Sequence, residues 1–231
     1  KTKGELYDYL RRTSDKVFIN ADNPHLCQMA SERNLQSDPE RPYSLLIPYG
    51  LEYQRASILP SSAEHPFLRI DFPSMGKVVE TNLIGSYNAD NVMAALAVGT
   101  QFGVSFDEAA AAIAAYLPSN NRSQMMRTSH NTLIVDAYNA NPTSMEAALT
   151  NFASLQAARK AVLLGDMLEL GEDSLTEHIR IASMALDSAF DTVCFVGKEF
   201  RTALAGIPDH KAFVFDTSSE LAAWLSGHPL S

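Results

Sequence analysis

The 231-residue chain has little of several things that mark whole classes of protein. It holds two cysteines, Cys27 and Cys194, far apart in sequence and each in apolar surroundings (HLCQMA and TVCFVG). That pattern excludes a disulfide framework and points to reduced, buried thiols, as the cytoplasm allows. No apolar run approaches the length of a bilayer span, and the opening KTKGELYDYLRR is charged and amphipathic. Neither a membrane span nor a signal sequence is therefore expected. Basic residues are in deficit, with 18 Lys and Arg against 27 Asp and Glu, for a net charge of −9. No basic cluster could track a phosphate backbone, so nucleic acid is not an expected partner. There is no Cys/His cluster of the kind that holds zinc, no G-x-S-x-G of a serine hydrolase, and no G-x-x-x-x-G-K-[ST] phosphate loop.

What is present is a globular composition, 46% hydrophobic and 19% charged, at a length that suits one large or two ordinary domains. Up to about Leu83, short β-like runs (KVFINA, YSLLIP, LRIDF, KVVETNL) alternate with Pro-rich turns. They predict an α/β half followed by a partly antiparallel sheet. Two helices follow. The first runs from about Ala89 to Phe102 and stops at Gly103. The second is announced by a capping box, Ser105 three residues before Glu108, and is halted by Pro118.

After the stretch PSNNRSQ, Pro118 to Gln124, strands and helices alternate regularly. Strands are expected at Leu133–Asp136, Ala161–Gly165, Val193–Gly197 and Ala212–Phe215. The helices begin at Pro142, Ser174, near Glu199 and at Thr217. Ser174 with Glu177, and Thr217 with Glu220, have the spacing of further capping boxes. Four βα units in a row predict a parallel, doubly wound sheet. The domain boundary falls in the linker, giving residues 1–119 and 120–231. The chain opens as if inside a helix and ends at GHPLS where another strand is due, so it reads as cut at both ends.

Ligands of open α/β sheets bind at the carboxyl ends of strands, and AYNANP, Ala137 to Pro142, sits at such an end. Asn141 reads as an N-cap, with Pro142 at the first helical position. For Asp136 and Asn139 a ligand role stands beside the plainer one of satisfying turn donors, since the cap does not need the acid.

Several motifs in order then carry a resemblance. GSYNADNVMAA is similar to the Gly-x-His-Asn-x-x-Asn-x-x-Ala-Ala motif of the Mur ligases. VDAYNANPTSM followed by VLLGDMLELGEDSLTEH resembles the MurF type, which adds D-alanyl-D-alanine to UDP-N-acetylmuramoyl-tripeptide. The resemblance implies the later part of a central ATPase domain followed by a Rossmann-like parallel-sheet domain. The N-terminal domain, the phosphate loop and the last segment of such an enzyme would be missing.

It also implies site residues. Asn88 and Asn91 match the asparagines that meet adenine, as donor-and-acceptor carboxamides suit a purine edge. The usual histidine beside them is Tyr87 here. Arg122 matches a linker arginine that reaches the ATP phosphates, and Asp136 the acid that binds the ribose. Tyr138, Asn139 and His178 fall on the dipeptide side. Lys3 aligns with a lysine that the family carbamylates, giving anionic oxygens for Mg²⁺; read without the resemblance it is a surface lysine. ATP and Mg²⁺ are thus the implied cofactors, and a monomeric cytoplasmic enzyme is the implied setting. The reaction implied is acyl activation, in which ATP phosphorylates the tripeptide carboxylate and the dipeptide amine displaces phosphate. A related amide ligase such as folylpolyglutamate synthetase, and a non-catalytic nucleotide-binding module, are the alternatives.

Overall fold

A computed structural model describes residues 2–13, 16–35, 46–62, 65–119, 121, 124–208 and 210–230, with the side chains of residues 2, 3 and 11 outside the description. It divides into two compact units. The first comprises Lys1–Pro60, Phe67–Asn82 and Ser86–Tyr116; the second comprises Ser61–Pro66, Leu83–Gly85 and Leu117–Ser231.

In the first unit α1 (Thr2–Thr13) leads to β1 (Val17–Asn20), α2 (Pro24–Glu32) and β2 (Leu46–Tyr49). The two strands are parallel, Val17 opposite Leu46, as a connection long enough to include a helix permits. Helix α2 starts where its sequence dictates: the Asn23 side chain accepts from the N–H groups of His25 and Leu26, with Pro24 in the first turn. At its far end the Arg33 guanidinium donates to the Gly4 carbonyl at 3.1 Å and pairs with Asp8 at 3.1 Å. A Cβ at Gly4, in the first turn of α1, would lie 2.3 Å from that guanidinium and would displace the Arg33 side chain. Tyr7, Val17, Ile19, Ala30 and Leu35 form the local core.

An antiparallel sheet follows, made of β3 (Ser57–Ile58), β4 (Arg69–Phe72) and β5 (Lys77–Glu80). Strand β4 alternates as a half-buried strand should, with Ile70 and Phe72 fully inside. Helices α3 (Ala89–Gln101) and α4 (Phe106–Ala115) complete the unit. The Ser105 and Glu108 capping box forms in full, and Phe106 meets Phe72 edge-on at 5.1 Å.

The second unit begins with β6 (Gln124–Arg127) and β7 (Thr132–Val135), an antiparallel hairpin. Then come α5 (Pro142–Ser154), β8 (Ala161–Gly165), α6 (Ser174–Asp187), β9 (Thr192–Val196), α7 (Lys198–Leu204), β10 (Phe213–Phe215) and α8 (Ser218–Gly227). Strands β8, β9 and β10 form a parallel sheet in that order. The parallel sheet expected from the βα alternation is there, but β7 is not one of its strands. It pairs with β6 instead, and a cleft of about 490 Å³ is lined by Leu133 and Ile134 of β7 and by Ala161 and Leu163 of β8. The reason lies in QMMR, a run with no clear strand pattern, which pairs with β7 from the other side.

Helix α6 buries His178, Ile181, Ala182 and Ala185, an i, i+3, i+4, i+7 stripe. They join Met145, Leu149, Val162, Met167, Val193, Phe195, Phe200 and Leu204 in one core. Its start differs from expectation. A turn of 3-10 helix, Gly171–Asp173, precedes it, and no side chain caps it. The Ser174 hydroxyl donates to Glu199, a tertiary partner, and Glu177 pairs with Arg180 three residues on, so the expected capping box does not form. At α8 the Thr217 hydroxyl accepts from the Glu220 N–H, while the Glu220 carboxylate takes the N–H of Asp216, one residue early for a box. The single tryptophan, Trp224, stacks on His228 at 4.5 Å and also packs beside Phe213 and Phe215.

Phe200 is fully buried and meets both Phe195 and His178. Phe200→Ala is expected to lower the stability of this unit by about 3–5 kcal/mol, as core aromatic truncations do. Leu168→Ala, at a side chain 70% exposed, is expected to stay within about 0.5 kcal/mol. Urea unfolding followed by Trp224 fluorescence measures both.

Candidate functional site

Two loops of the second unit, one at the carboxyl end of β7 and one at the carboxyl end of β8, carry the candidate side chains, and local chemistry shapes each. After β7 the chain turns through Asp136–Asn141. Asn141 closes the turn as a capping box with Ser144, accepting its N–H at 3.0 Å and donating its own N–H to the Ser144 hydroxyl at 3.2 Å. The Asn139 side-chain oxygen takes the Ala140 N–H at 3.0 Å, which leaves its amide donors outward on an exposed residue. Asp136 and Tyr138 are exposed too, Tyr138 by 62%. The Asn121 carbonyl accepts from the Ala137 N–H at 2.7 Å, so the linker is tied to the turn beside Asp136. Arg122, the next residue, lies outside the described residues.

The second loop is Asp166–Asp173, after β8. The Asp166 carboxylate accepts from the N–H groups of Glu199 and Phe200, each at 3.0 Å, at the start of α7. It lies against Gly197, whose φ is +121° and where a Cβ would come within 2.1 Å of the carboxylate. Only a residue without a side chain fits. Met167 is buried and Leu170 packs on the core that also takes Ala140 and Met145, so one core carries both loops.

His178 belongs to that core. It has no exposed surface; Nε2 accepts from the Met167 N–H at 3.0 Å and Nδ1 lies 2.7 Å from the Ser174 carbonyl. Both nitrogens are used inside the protein, so this side chain does not itself face a ligand.

In the first unit Asn88 ends a 3-10 turn and is buried. It does not cap α3; its side-chain oxygen accepts from the Asn91 amide at 3.3 Å, placing the two carboxamides side by side. Lys3 lies in α1 next to Gly4, with its side chain outside the description. Nearby chemistry missed in sequence is the Asp22 carboxylate at the end of β1. It accepts from the N–H groups of Glu52 (2.9 Å) and Tyr53 (3.1 Å), against Gly50. The signal for it, as for Asp166, was a glycine ending the neighbouring parallel strand. Among the described residues no three His, Cys, Asp or Glu side chains gather as metal ligands. No helix among the described residues is long and apolar enough to cross a membrane.

Comparisons with known proteins converge. Residues 121–226 match the family model "Mur ligase, glutamate ligase domain". The UDP-N-acetylmuramoyl-tripeptide–D-alanyl-D-alanine ligase of Mycobacterium leprae is 32% identical over 222 residues, 85% of this chain and 42% of that protein. The Bacillus subtilis ligase of the same name is 36% identical over 118 residues, 50% of this chain and 26% of the relative. This chain thus spans less than half the length of either. In fold it is similar to MurF of Acinetobacter baumannii, with a TM-score of 0.71 at 23% identity over 92% of this chain and 46% of the other. It is similar also to the Thermotoga maritima MurF ligase solved with ADP, at 0.71 and 16% identity over 93% and 47%.

Two outcomes follow from the geometry. Gly197→Ala is expected to force Asp166 off the start of α7 and lower the urea midpoint by the equivalent of about 1–3 kcal/mol, whereas Gly165→Ala, with open space around its Cα, shifts it far less. Burial, and for Tyr49 also the charge of Asp90, pushes the Tyr7 and Tyr49 phenols up. Their folded forms hold the proton where the unfolded chain loses it. Stability of the first unit is therefore full below about pH 10 and declines as pH rises above it. Hydrogen exchange of Val17 and Ile19 amides from pH 9 to 11, in wild type and in Tyr7→Phe/Tyr49→Phe, measures this.

Proposed function

From the match of residues 121–226 to the Mur ligase family model, we propose that the chain is part of an ATP-dependent ligase joining D-alanyl-D-alanine to UDP-N-acetylmuramoyl-tripeptide in peptidoglycan synthesis. The observation that carries the reading is the pairing, on one core, of the Asp136–Asn141 turn with the Asp166–Asp173 loop. The first offers an exposed carboxylate, a phenol and a carboxamide at the carboxyl end of β7, and the second leaves the parallel sheet at its carboxyl edge, where open sheets take ligands. Support comes also from the 32% identity to a ligase of this name, which runs through 85% of the chain.

In this proposal ATP phosphorylates the terminal carboxylate of the tripeptide. The dipeptide amine attacks the acyl carbon of the resulting acyl phosphate, and phosphate leaves as the amide forms. Such chemistry rests on positioning and on neutralising charge. Asn88 and Asn91 would hold adenine, Asp136 the ribose hydroxyls and Arg122 the phosphates, while Tyr138 and Asn139 would receive the dipeptide. Lys3, carbamylated, would supply oxygens to Mg²⁺. Action in the cytoplasm as a monomer completes the reading.

Tested by itself, the 231-residue chain is expected to bind ATP no better than high micromolar to millimolar, on the order of 4–6 kcal/mol. It is expected neither to hydrolyse ATP nor to join the dipeptide, because no phosphate-loop lysine is present to neutralise the γ-phosphate. Calorimetric titration and a phosphate-release assay with both substrates check this. Asp136→Ala is expected to weaken nucleotide binding about tenfold, the size of one charge-assisted hydrogen bond, with dipeptide binding unchanged. An unaltered nucleotide titration in a folded variant would sink the ribose role.

A further inference from the structure

The loop between β8 and α6 is tied at both ends by a closed set of hydrogen bonds that passes through His178. The Ser174 carbonyl has no proton to give, so at 2.7 Å the proton between it and His178 belongs to Nδ1. The lone pair on Nε2 then receives the Met167 N–H at 3.0 Å. Only the neutral Nδ1–H tautomer satisfies both partners. The Ser174 hydroxyl donates to Glu199 at 2.8 Å, and the Glu199 N–H returns to Asp166, the residue before Met167. The circuit is thus Asp166, Met167, His178, Ser174, Glu199 and back to Asp166. The imidazole is wedged edge-on against Phe200 at 4.7 Å, so it cannot turn without opening the core.

Between the pinned ends, Leu168 is 70% exposed and Glu169 holds a φ of +67°, a left-handed conformation that a glutamate adopts only when its neighbours impose it. The neighbours that impose it are the pinned Met167 and the packed Leu170. The tip of the loop is therefore displayed in one shape on the core that also carries Ala140 and Met145.

We propose that His178 is a positioning residue for the dipeptide side of the site: as the neutral Nδ1–H tautomer it latches Met167, and so holds the Leu168–Glu169 tip in fixed relation to Tyr138 and Asn139. The latch stands on geometry alone, and its link to the dipeptide rests on the ligase reading. It acts through the loop and touches no substrate.

The test uses the full chain with ¹⁵N-labelled histidine. The His178 ring is expected to show a protonated Nδ1 and an unprotonated, hydrogen-bonded Nε2; an Nε2–H or doubly protonated ring would overturn the proposal without any mutation. His178→Ala removes the acceptor, while His178→Gln puts a carboxamide oxygen within reach of the Met167 N–H. Among variants that retain the Trp224 fluorescence of the folded unit, exchange of the Met167 amide is expected to speed up about tenfold or more in the alanine variant and to return to within about threefold in the glutamine one. D-alanyl-D-alanine, titrated against the amide signals of Tyr138 and Asn139, should bind about tenfold more weakly to the alanine variant and near normally to the glutamine variant. Equal exchange in all three chains overturns the latch. An intact latch with no dipeptide response in the wild type overturns the ligase reading of this loop and leaves the latch in place.

Discussion

One carboxylate receiving two successive backbone N–H groups at the carboxyl edge of a parallel strand pair is the interaction on which each unit's edge depends. Asp166 does this for the Glu199 and Phe200 N–H groups, and Asp22 for those of Glu52 and Tyr53. In both, the neighbouring strand ends in a glycine, Gly197 or Gly50, and the donors lie two and three residues beyond it. The N–H groups that open a helix or turn have no partner within it and carry partial positive charge. A buried or half-buried carboxylate there forms charge-assisted bonds stronger than neutral ones. The same N–H groups are what an anionic ligand would use at such an edge. The protein has filled both positions from its own chain.

The remainder of the second unit's edge is arranged around Asp166. Holding α7 against β8 brings Glu199 to Ser174, Ser174 sets the start of α6, and α6 delivers His178 to Met167. The same helix buries Ile181, Ala182 and Ala185 on the core shared by Ala140 and Met145. Arg180, on its exposed side, bridges to Glu146 of α5 at 2.7 Å. A polar circuit and an apolar core therefore specify the same arrangement, and the exposed Asp136, Tyr138 and Asn139 inherit their placement from both.

Features that depend on neighbours in sequence were legible, and those set by distant partners were not. Ser105 with Glu108 and Asn141 with Pro142 announced their helices because a cap needs only the next few residues. Ser174 and Glu177 had the same spacing, yet the distant Glu199 took the Ser174 hydroxyl, and the Glu177 carboxylate went to Arg180 on its own helix. The parallel order of β8, β9 and β10 followed from the βα rhythm, while the antiparallel partner of β7 lay in a four-residue run with no clear pattern. For the site, Asn139 and Asp136 stood out by their place at a strand end. His178 was misleading: likeness to a motif placed it among ligands, although its spacing from Ile181, Ala182 and Ala185 already marked a buried stripe.

Trp224 gives the chain an optical asymmetry. It is the one tryptophan in the sequence and sits in the second unit, stacked within 6° of parallel on His228. Indole emission therefore reports on that unit alone. Tyrosines dominate the aromatic signal of the first unit, so excitation selective for indole leaves that unit silent. A chain of two compact units need not unfold in a single step, and here the two steps carry different chromophores.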